Sequence, residues 1–221
     1  MVQSLQAKNV TLGNLRQCFG LELTEDEQFF QEWQGDLPKV TAAEKQRLDR
    51  VKLSFSNLLE YPPLLENTVK MVVLSQLLDL ADVYQKPFHI KSEPSFQITT
   101  EDKGTVIRGN VDVLVLREQL WVMVIEAKRA AVDVDEGRAQ ILSYMLANPT
   151  LEKPAFGMIT NGRNFLFIKL VRQTTPEYAL SRLFSLINPG NELYTVLGIL
   201  KRLVALVQQD NLKVSSGEYG S

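Results

Sequence analysis

Histidine and cysteine are almost missing from this sequence of 221 residues, which has one of each. His89 alone excludes a zinc site built from several histidines, and a serine triad would have to use that one imidazole. Cys18 alone excludes an internal disulfide and is typical of proteins of a reducing cytosol. No apolar run is long enough to span a bilayer, and residues 1–8 carry no long apolar stretch. We therefore expect a cytoplasmic protein with no signal peptide and no membrane partner.

An excess of positive charge is also missing, since the formal net charge is −2 and the isoelectric point is about 5.6. This balance excludes a globally basic surface for nucleic acid, so any binding of phosphate has to come from a local patch or a bound metal. The hydrophobic content of 45% is enough for one domain with a sizeable core and an appended helical piece.

The first part of the chain, residues 11–60, has the pattern of helices. Thr24 is a suitable N-cap for a helical segment that runs to Trp33. Thr41, with a glutamate three residues later, predicts a second helix that begins with a capping box. Pro62-Pro63 is expected to end this helix, because proline cannot continue it.

The second part of the chain changes from helix to strands. A wide apolar stripe predicts a helix over residues 64–84. β-Branched and aromatic residues then predict strands, and Asn161-Gly162 between two apolar runs predicts a hairpin. The predicted strands are 88–97, 104–116, 120–128, 155–160, 163–171 and 178–187. The predicted later helices are 136–146 and 192–207.

This order of elements predicts an α/β fold, in which a mixed central β-sheet is flanked by helices. We divide the chain into an N-terminal helical extension (1–60), a main domain (61–209) and a polar, flexible C-terminal tail (210–221). The extension is expected to cover one side of the sheet or to mediate a dimer.

The segment that carries candidate chemistry is GNVDVLVLREQLWVMVIEAKR, residues 109–129. It predicts two apolar strands that are joined by a short polar turn. Side chains alternate between the two faces of a strand, so Glu126 and Lys128 have to lie on the same face.

The register of this hairpin decides whether Asp112 joins the pair. A turn of three residues, 117–119, places Asp112 opposite Val124 and one diagonal step from Glu126. A turn of two residues, 118–119, places Asp112 on the wrong face. We predict the three-residue turn.

Charged side chains on apolar strands are rarely left unpaired. Asp112 and Glu126 repel each other unless a cation or a proton lies between them. Mg²⁺ takes carboxylates, water and substrate phosphate as ligands, and it can activate a water. Lys128 can stabilise the charge that develops on the phosphate. These residues therefore predict a metal-dependent site for phosphodiester cleavage, and the alternative is a structural network of salt bridges.

The same residues resemble the signature of the PD-(D/E)XK nucleases, an aspartate followed on the next strand by Glu-x-Lys. Here the pattern is Asp112 with Glu126-Ala127-Lys128. The resemblance implies a restriction-endonuclease-like core and a Mg²⁺-dependent DNA endonuclease of restriction or repair, in which Mn²⁺ can substitute. It also implies that Asp112, Glu126 and the Ala127 carbonyl bind the metal.

Three further features strengthen the resemblance. Glu66 lies near the start of the helix before the sheet and resembles the acid that often completes the metal site in these nucleases. The alternative is an acid in the first turn of a helix, which the helix dipole favours. Gln140 and Tyr144 share one helix face and resemble a Gln-x-x-x-Tyr feature that orders the active site and contacts DNA. The alternative for that pair is a packing tyrosine and a surface glutamine. Residues 159–162 resemble the Thr-Asn-Gly hairpin of the same nucleases, although a plain type I′ turn also explains the glycine.

The resemblance covers residues 64–170. It is closest to the N-terminal nuclease domains of type I restriction enzyme R subunits and to stand-alone restriction-endonuclease-like proteins of cyanobacteria. Val111 precedes the aspartate where many members have proline, no helicase motor follows, and no DNA-recognition module is evident.

Basic side chains around the motif can form a local positive rim for phosphates. Arg129 and Arg163, together with Tyr144, are the predicted substrate contacts, and Gln140 is placed with the catalytic residues. An ordinary solvated surface is the alternative for each basic residue. The wider basic set is Lys70, Arg108, Arg138, Lys169 and Arg172.

Two functions from different classes compete. The first is a DNA nuclease that pairs as a homodimer to cut both strands, and the intact motif favours it. The second is a catalytically inactive nuclease-fold module for DNA binding or protein assembly, which the acidic charge favours. A third is an unrelated α+β domain, in which Asp112 would lie on the face opposite Glu126.

Overall fold

The structure is a computed structural model that describes residues 3–100, 104–117, 120–150 and 153–215. It begins with strand β1 (Gln3–Gln6) and a 3₁₀ turn (Ala7–Asn9). Helix α1 (Leu12–Phe19) follows, and the short strand β2 (Glu22–Leu23) comes next.

The helix predicted from Thr24 to Trp33 is wrong, because this segment is a series of turns. The Thr24 hydroxyl accepts a hydrogen bond from the Asp26 amide, and the Asp26 carboxylate accepts one from the Gln28 amide. Such local bonds from side chain to backbone compete with the helical pattern.

The capping box at Thr41 is confirmed, and helix α2 runs over Ala42–Leu59. The Glu44 amide donates to the Thr41 hydroxyl, and the Thr41 amide donates to the Glu44 carboxylate at 2.7 Å. One face of α2 is buried through Leu48, Val51 and Phe55.

The helix predicted over 64–84 is present in three consecutive parts. Helix α3 (Glu66–Val69) leads into a π-helical turn (Lys70–Leu74), which leads into helix α4 (Ser75–Leu80). A π turn is wider than an α turn and is frequent at functional sites.

Both of the next predicted strands are divided between two sheets. The segment 88–97 splits into β3 (Phe88–Ser92) and β4 (Ser95–Thr99). The segment 104–116 splits into β5 (Thr105–Asn110) and β6 (Val113–Arg117). The breaks face each other, because the Val111 amide donates to the Pro94 carbonyl, and proline also lacks the amide of a regular ladder.

The rest of the chain completes the main sheet. Strand β7 (Leu120–Ala127) is followed by a 3₁₀ turn (Val134–Gly137) and helix α5 (Arg138–Leu146). The remaining elements are β8 (Ala155–Thr160), β9 (Asn164–Arg172), β10 (Pro176–Leu180), β11 (Phe184–Ser185) and α6 (Leu193–Ser215). Helix α6 therefore includes the first part of the segment predicted as a flexible tail.

Among the described residues the main sheet has the order β2-β10-β9-β8-β7-β6-β3, with β11 paired to β9, and a second sheet has the order β1-β5-β4. The main sheet is mixed, since β7 and β8 are parallel while β6–β7 and β8–β9 are antiparallel. Helices α2, α4 and α6 contribute to the core on one face. Helices α1 and α5 contribute to the core on the other face. The predicted α/β fold with a helix-flanked mixed sheet is confirmed, and the N-terminal segment packs into both cores.

Candidate active site

The β6–β7 hairpin brings the motif together by a different route from the one predicted. Arg117 pairs with Leu120, so the predicted turn at 117–119 is wrong. Glu118 and Gln119 themselves lie outside the described residues. The register then shifts at a β-bulge, after which Val113 pairs with Ile125.

The bulge restores the phase that the site needs, because an extra residue in one strand moves all later side chains to the other face. Continuing the register one step from Val113 and Ile125 brings Asp112 level with Glu126. Asp112 is therefore on the face of Glu126 and is not opposite Val124 as predicted. This placement excludes the alternative in which Asp112 lies on the face opposite Glu126.

Asp112 lies between β5 and β6, and its side chain is largely buried. One carboxylate oxygen, Oδ2, accepts a hydrogen bond of 2.7 Å from the Ala127 amide. The other oxygen, Oδ1, accepts one of 2.7 Å from Nζ of Lys70. Asp112 thus connects the helix before the sheet to the end of β7.

Glu126 is 3% exposed and is the least satisfied acid of the site. Oε1 accepts a hydrogen bond of 2.8 Å from Lys128, whereas Oε2 is buried and has no hydrogen-bond partner among the described residues. Burial and the nearby Asp112 charge raise the pKa of Glu126 to about 8, although Lys128 opposes the shift. A proton or a bound cation would stabilise a carboxyl group in these surroundings.

Lys128 links Glu126 to helix α5. Its ammonium donates to Oε1 of Glu126 and, at 2.7 Å, to Oε1 of Gln140. The 3₁₀ turn passes close to this lysine, and a Cβ added to Gly137 would lie 3.0 Å from its Cε. Glycine therefore lets the turn approach the site.

Gln140 and Tyr144 form the second part of this chain of contacts. The Gln140 side-chain amide donates to the Tyr144 hydroxyl at 2.6 Å. The Tyr144 ring is 1% exposed and stands edge-on to Phe96 of β4, with centroids 4.5 Å apart. Burial raises the pKa of Tyr144 well above its usual value. Gln140 therefore connects the buried Tyr144 hydroxyl to the Lys128 ammonium, and the contact of Tyr144 with DNA stays a prediction.

Glu66 joins the site through a lysine. Nζ of Lys70 lies 3.1 Å from Oε1 of Glu66 and 2.7 Å from Oδ1 of Asp112. Burial lowers the pKa of Lys70, but the two acids outweigh it and leave the pKa above its ordinary value. The sequence pattern predicts for Lys70 only a place in the general basic rim. Its spacing of four residues from Glu66 was the available signal.

The two predicted arginine contacts lie in different surroundings. Arg129 directly follows Lys128 and is exposed, whereas Arg163 is half-buried in the β8–β9 hairpin. This hairpin is confirmed: Asn161 accepts hydrogen bonds from the Arg163 and Asn164 amides, and Gly162 has a φ of +81°. Substrate binding by either arginine stays a prediction.

The donor chemistry of the site fits a hard divalent ion. Its acids are Glu66, Asp112 and Glu126, and carboxylate oxygens are the usual ligands of Mg²⁺. The unpartnered Oε2 of Glu126 is available to a cation. Within the described residues, however, no three His, Cys, Asp or Glu side chains are already grouped as metal ligands. The described contacts instead place the Lys70 ammonium between Glu66 and Asp112.

Residues 7–175 match a family model described as type I restriction enzyme R protein N terminus. The chain belongs to this family. The match includes Asp112, Glu126, Lys128 and the Gln140–Tyr144 pair, so the whole candidate site lies within the R protein N-terminal region. No curated protein matches the chain.

Two solved structures resemble parts of this R protein N-terminal domain. One is a cryo-EM structure of a DrdV–DNA complex, with 13% identity, a TM-score of 0.44, and coverage of 72% of this chain and 14% of that chain. The other is a fragment assigned to an HsdR subunit of a type I restriction enzyme from Vibrio vulnificus YJ016. It has 22% identity, a TM-score of 0.38, and coverage of 61% of this chain and 25% of that chain. The matched region thus spans a quarter or less of either protein.

No helix in the described ranges has both the length and the apolar content that crossing a membrane requires.

Proposed function

We propose that this R protein N-terminal domain is a metal-dependent endonuclease that hydrolyses phosphodiester bonds in DNA. The observation that carries the proposal is the meeting of Asp112, Glu126 and Lys128 at one end of β6 and β7. Among the residues that the structure describes, Oε2 of Glu126 is buried there without a hydrogen-bond partner. A buried acceptor without a partner is unfavourable, and a bound cation would remove this cost.

In this proposal each residue has a separate task. Glu66, Asp112, Glu126 and the Ala127 carbonyl hold Mg²⁺, and Mn²⁺ can replace it because it also accepts oxygen ligands. When bound, the ion supplies Lewis-acid stabilisation of the phosphate and a water of lowered pKa. Lys128 uses two of its three N–H donors on Glu126 and Gln140, and we assign the third to a phosphate oxygen.

Gln140 and Tyr144 hold the Lys128 ammonium in place. Arg129 and Arg163 are proposed to contact the DNA backbone from the rim of the site, since local basic groups are what an acidic domain needs to bind phosphate. Pairing of two chains would allow both strands to be cut.

The second candidate is a nuclease-fold module that binds DNA or other proteins without cutting. The contact of Lys70 with both Glu66 and Asp112 favours it, because an ammonium already balances two of the proposed metal ligands. A permanent ion pair at this position would leave the site structural.

A plasmid-nicking assay with Mg²⁺ or Mn²⁺ distinguishes the two candidates. We expect the wild type to nick, and Lys128→Ala to lower the rate by about 100-fold to 1,000-fold, the scale for loss of one charge-stabilising group. Lys52→Ala is the control, since this lysine donates to the Gly190 carbonyl and none of its described contacts is with a residue of the site. Absence of cleavage on supercoiled, linear and single-stranded DNA, together with absence of metal binding, would sink the nuclease proposal.

A further inference from the structure

Lys70 is the one basic side chain that the described contacts place on two of the proposed metal ligands. Its Nζ lies 2.7 Å from Asp112 Oδ1 and 3.1 Å from Glu66 Oε1. The Lys70 and Asp112 side chains are 20% and 13% exposed, so solvent screens their contact less than it would at the surface, whereas Glu66 is 41% exposed and its contact is screened more strongly. The ammonium therefore lies against two of the oxygens that a divalent ion would use.

The backbone holds Lys70 at this position. Lys70 is the first residue of the π-helical turn, and its neighbours Val69, Val73 and Leu74 are buried in the core. Movement of the helix would expose these apolar side chains. The flexible part is the side chain itself, because four rotatable carbon links separate the ammonium from the backbone. The ammonium can leave the site without any change in the fold.

The charges of the site indicate what the ammonium does. Glu66, Asp112 and Glu126 can contribute three negative charges, while Lys70 and Lys128 contribute two positive charges. A divalent ion placed among the same carboxylates would be repelled by both ammonium groups. Lys128 is held from its other side by Gln140, whereas the described contacts of Lys70 are all to the two acids.

We propose that Lys70 is an internal counter-ion that competes with a divalent cation for Asp112 and Glu66, and so sets the cation concentration at which the site loads. The proposal rests on the metal-dependent function proposed above. It makes Lys70 a regulator of cation affinity and leaves the chemical step to Asp112, Glu126 and Lys128.

The test measures cation binding in the absence of DNA. Free Mn²⁺ is followed by electron paramagnetic resonance for the wild type, Lys70→Met and Lys70→Arg. We expect Lys70→Met to bind Mn²⁺ on the order of tenfold more tightly, because it removes a competing positive charge and keeps most of the side-chain volume. Lys70→Arg keeps the positive charge, and its guanidinium pairs readily with carboxylates, so we expect it to bind Mn²⁺ no more tightly than the wild type.

Lys201 offers a matched control. It pairs with Glu44, and its side chain is 22% exposed, close to the value for Lys70. Lys201→Met also breaks a partly buried lysine–glutamate pair, but this pair joins α2 to α6 and shares no residue with the site. We expect its Mn²⁺ affinity to equal that of the wild type. Asp112→Asn, combined with Lys70→Met, is expected to abolish the gain.

A second measurement uses the unaltered protein, in case Lys70→Met does not fold. The NMR signal of the Lys70 ε-methylene group should move towards the value of a free lysine as Mg²⁺ is added, and the Lys201 signal should stay in place. An unchanged Lys70 signal at saturating Mg²⁺ would overturn the proposal. Equal or weaker Mn²⁺ binding by folded Lys70→Met, with a wild type that does bind, would overturn it as well.

Failure of the underlying function looks different. If neither the wild type nor any variant binds Mn²⁺ at millimolar concentrations, the proposed metal site is wrong, and the competition proposal is overturned with it. If the wild type binds and Asp112→Asn alone binds equally well, the cation lies elsewhere and only the assignment to Lys70 and Asp112 is lost.

Discussion

Two glutamates of this domain, the buried Glu126 and the partly buried Glu192, have opposite surroundings. Glu192, just before α6, accepts hydrogen bonds from the Ser185 amide and the Asn188 side chain and pairs with Arg182. Burial alone would raise the pKa of Glu192, but these partners outweigh it and leave the pKa below its ordinary value. Glu126 has Lys128 on one oxygen and, within the described part of the chain, no partner on the other, and burial raises its pKa.

From this difference we infer that the Glu192 carboxylate stabilises the fold, whereas the Glu126 carboxylate costs stability. Every oxygen of Glu192 has a partner, and its charge lies at the N-terminal end of a helix, where the helix dipole favours it. Glu126 keeps unused capacity for a hydrogen bond or a cation. A buried carboxylate oxygen without a hydrogen-bond partner indicates a binding or catalytic site, whereas a carboxylate whose two oxygens both have partners indicates a structural role.

The largest expected effect on stability comes from replacing Glu192, the glutamate whose two carboxylate oxygens both have partners. Glu192→Ala should lower the free energy of unfolding by about 2–3 kcal/mol, because hydrogen bonds to a charged group are lost and their donors are left behind. Glu192→Gln, which keeps an acceptor, should lose less. Urea denaturation at pH 7 measures both. A loss for Glu192→Ala no greater than that for Glu126→Gln would break the comparison.

The second effect is the pH dependence of stability. Folded Glu126 keeps its proton up to about pH 8, whereas the unfolded residue releases it near the ordinary value of 4.5. Between these values the folded state binds more protons, so the contribution of Glu126 to stability is full below pH 4.5 and is lost as the pH rises through 8. We compare the free energies of unfolding of Glu126→Gln and the wild type with a chelator present. As the pH rises from 5 to 8.5, the difference should change by at least about 1 kcal/mol in favour of Glu126→Gln.

Parallel denaturation curves at several pH values measure this gain. Glu192→Gln provides the opposite sign, since a lowered pKa adds stability above the ordinary value and loses it as the pH falls. Identical pH dependence in the wild type and Glu126→Gln would contradict the raised pKa of Glu126.

The smallest effect concerns the contact between Tyr144 and Gln140. Tyr144→Phe removes the hydroxyl that receives the Gln140 amide at 2.6 Å but keeps the ring against Phe96. We expect the cleavage rate at saturating DNA to fall by about threefold to tenfold and stability to fall by about 1 kcal/mol. KM for DNA should stay constant. A raised KM with an unchanged rate would instead support the DNA contact predicted from the sequence.

Local signals in the sequence were sufficient for part of the structure. The capping box at Thr41 and the Asn161-Gly162 hairpin depend on neighbours within a few residues, so their sequence patterns identify them. Thr24 shows the limit of such signals, because the same N-cap residue type also forms turns. The face shared by Glu126 and Lys128 follows from strand geometry alone.

Contacts between distant parts of the chain could not be predicted in this way. Lys70 meets Asp112 across 42 residues, and no short pattern encodes that meeting. The burial of Tyr144 depends on Phe96, which belongs to the second sheet. The division of the strands at Pro94 and Val111 likewise becomes visible only when the two segments are paired.

The β-bulge between the turn and the site has a consequence for how this hairpin can vary. The two ends of the hairpin have different registers. Arg117 pairs with Leu120 across a two-residue connection, whereas beyond the bulge Val113 pairs with Ile125, one residue further along β7 than the register at the turn would give. A three-residue turn would make the bulge unnecessary only if the separation of Asp112 and Glu126 along the chain stayed the same, because a residue inserted in the turn also moves Glu126 by one position. Related chains that keep this separation and have a three-residue turn should therefore have a regular ladder here, and in them the length of the turn becomes a marker for the presence of the bulge.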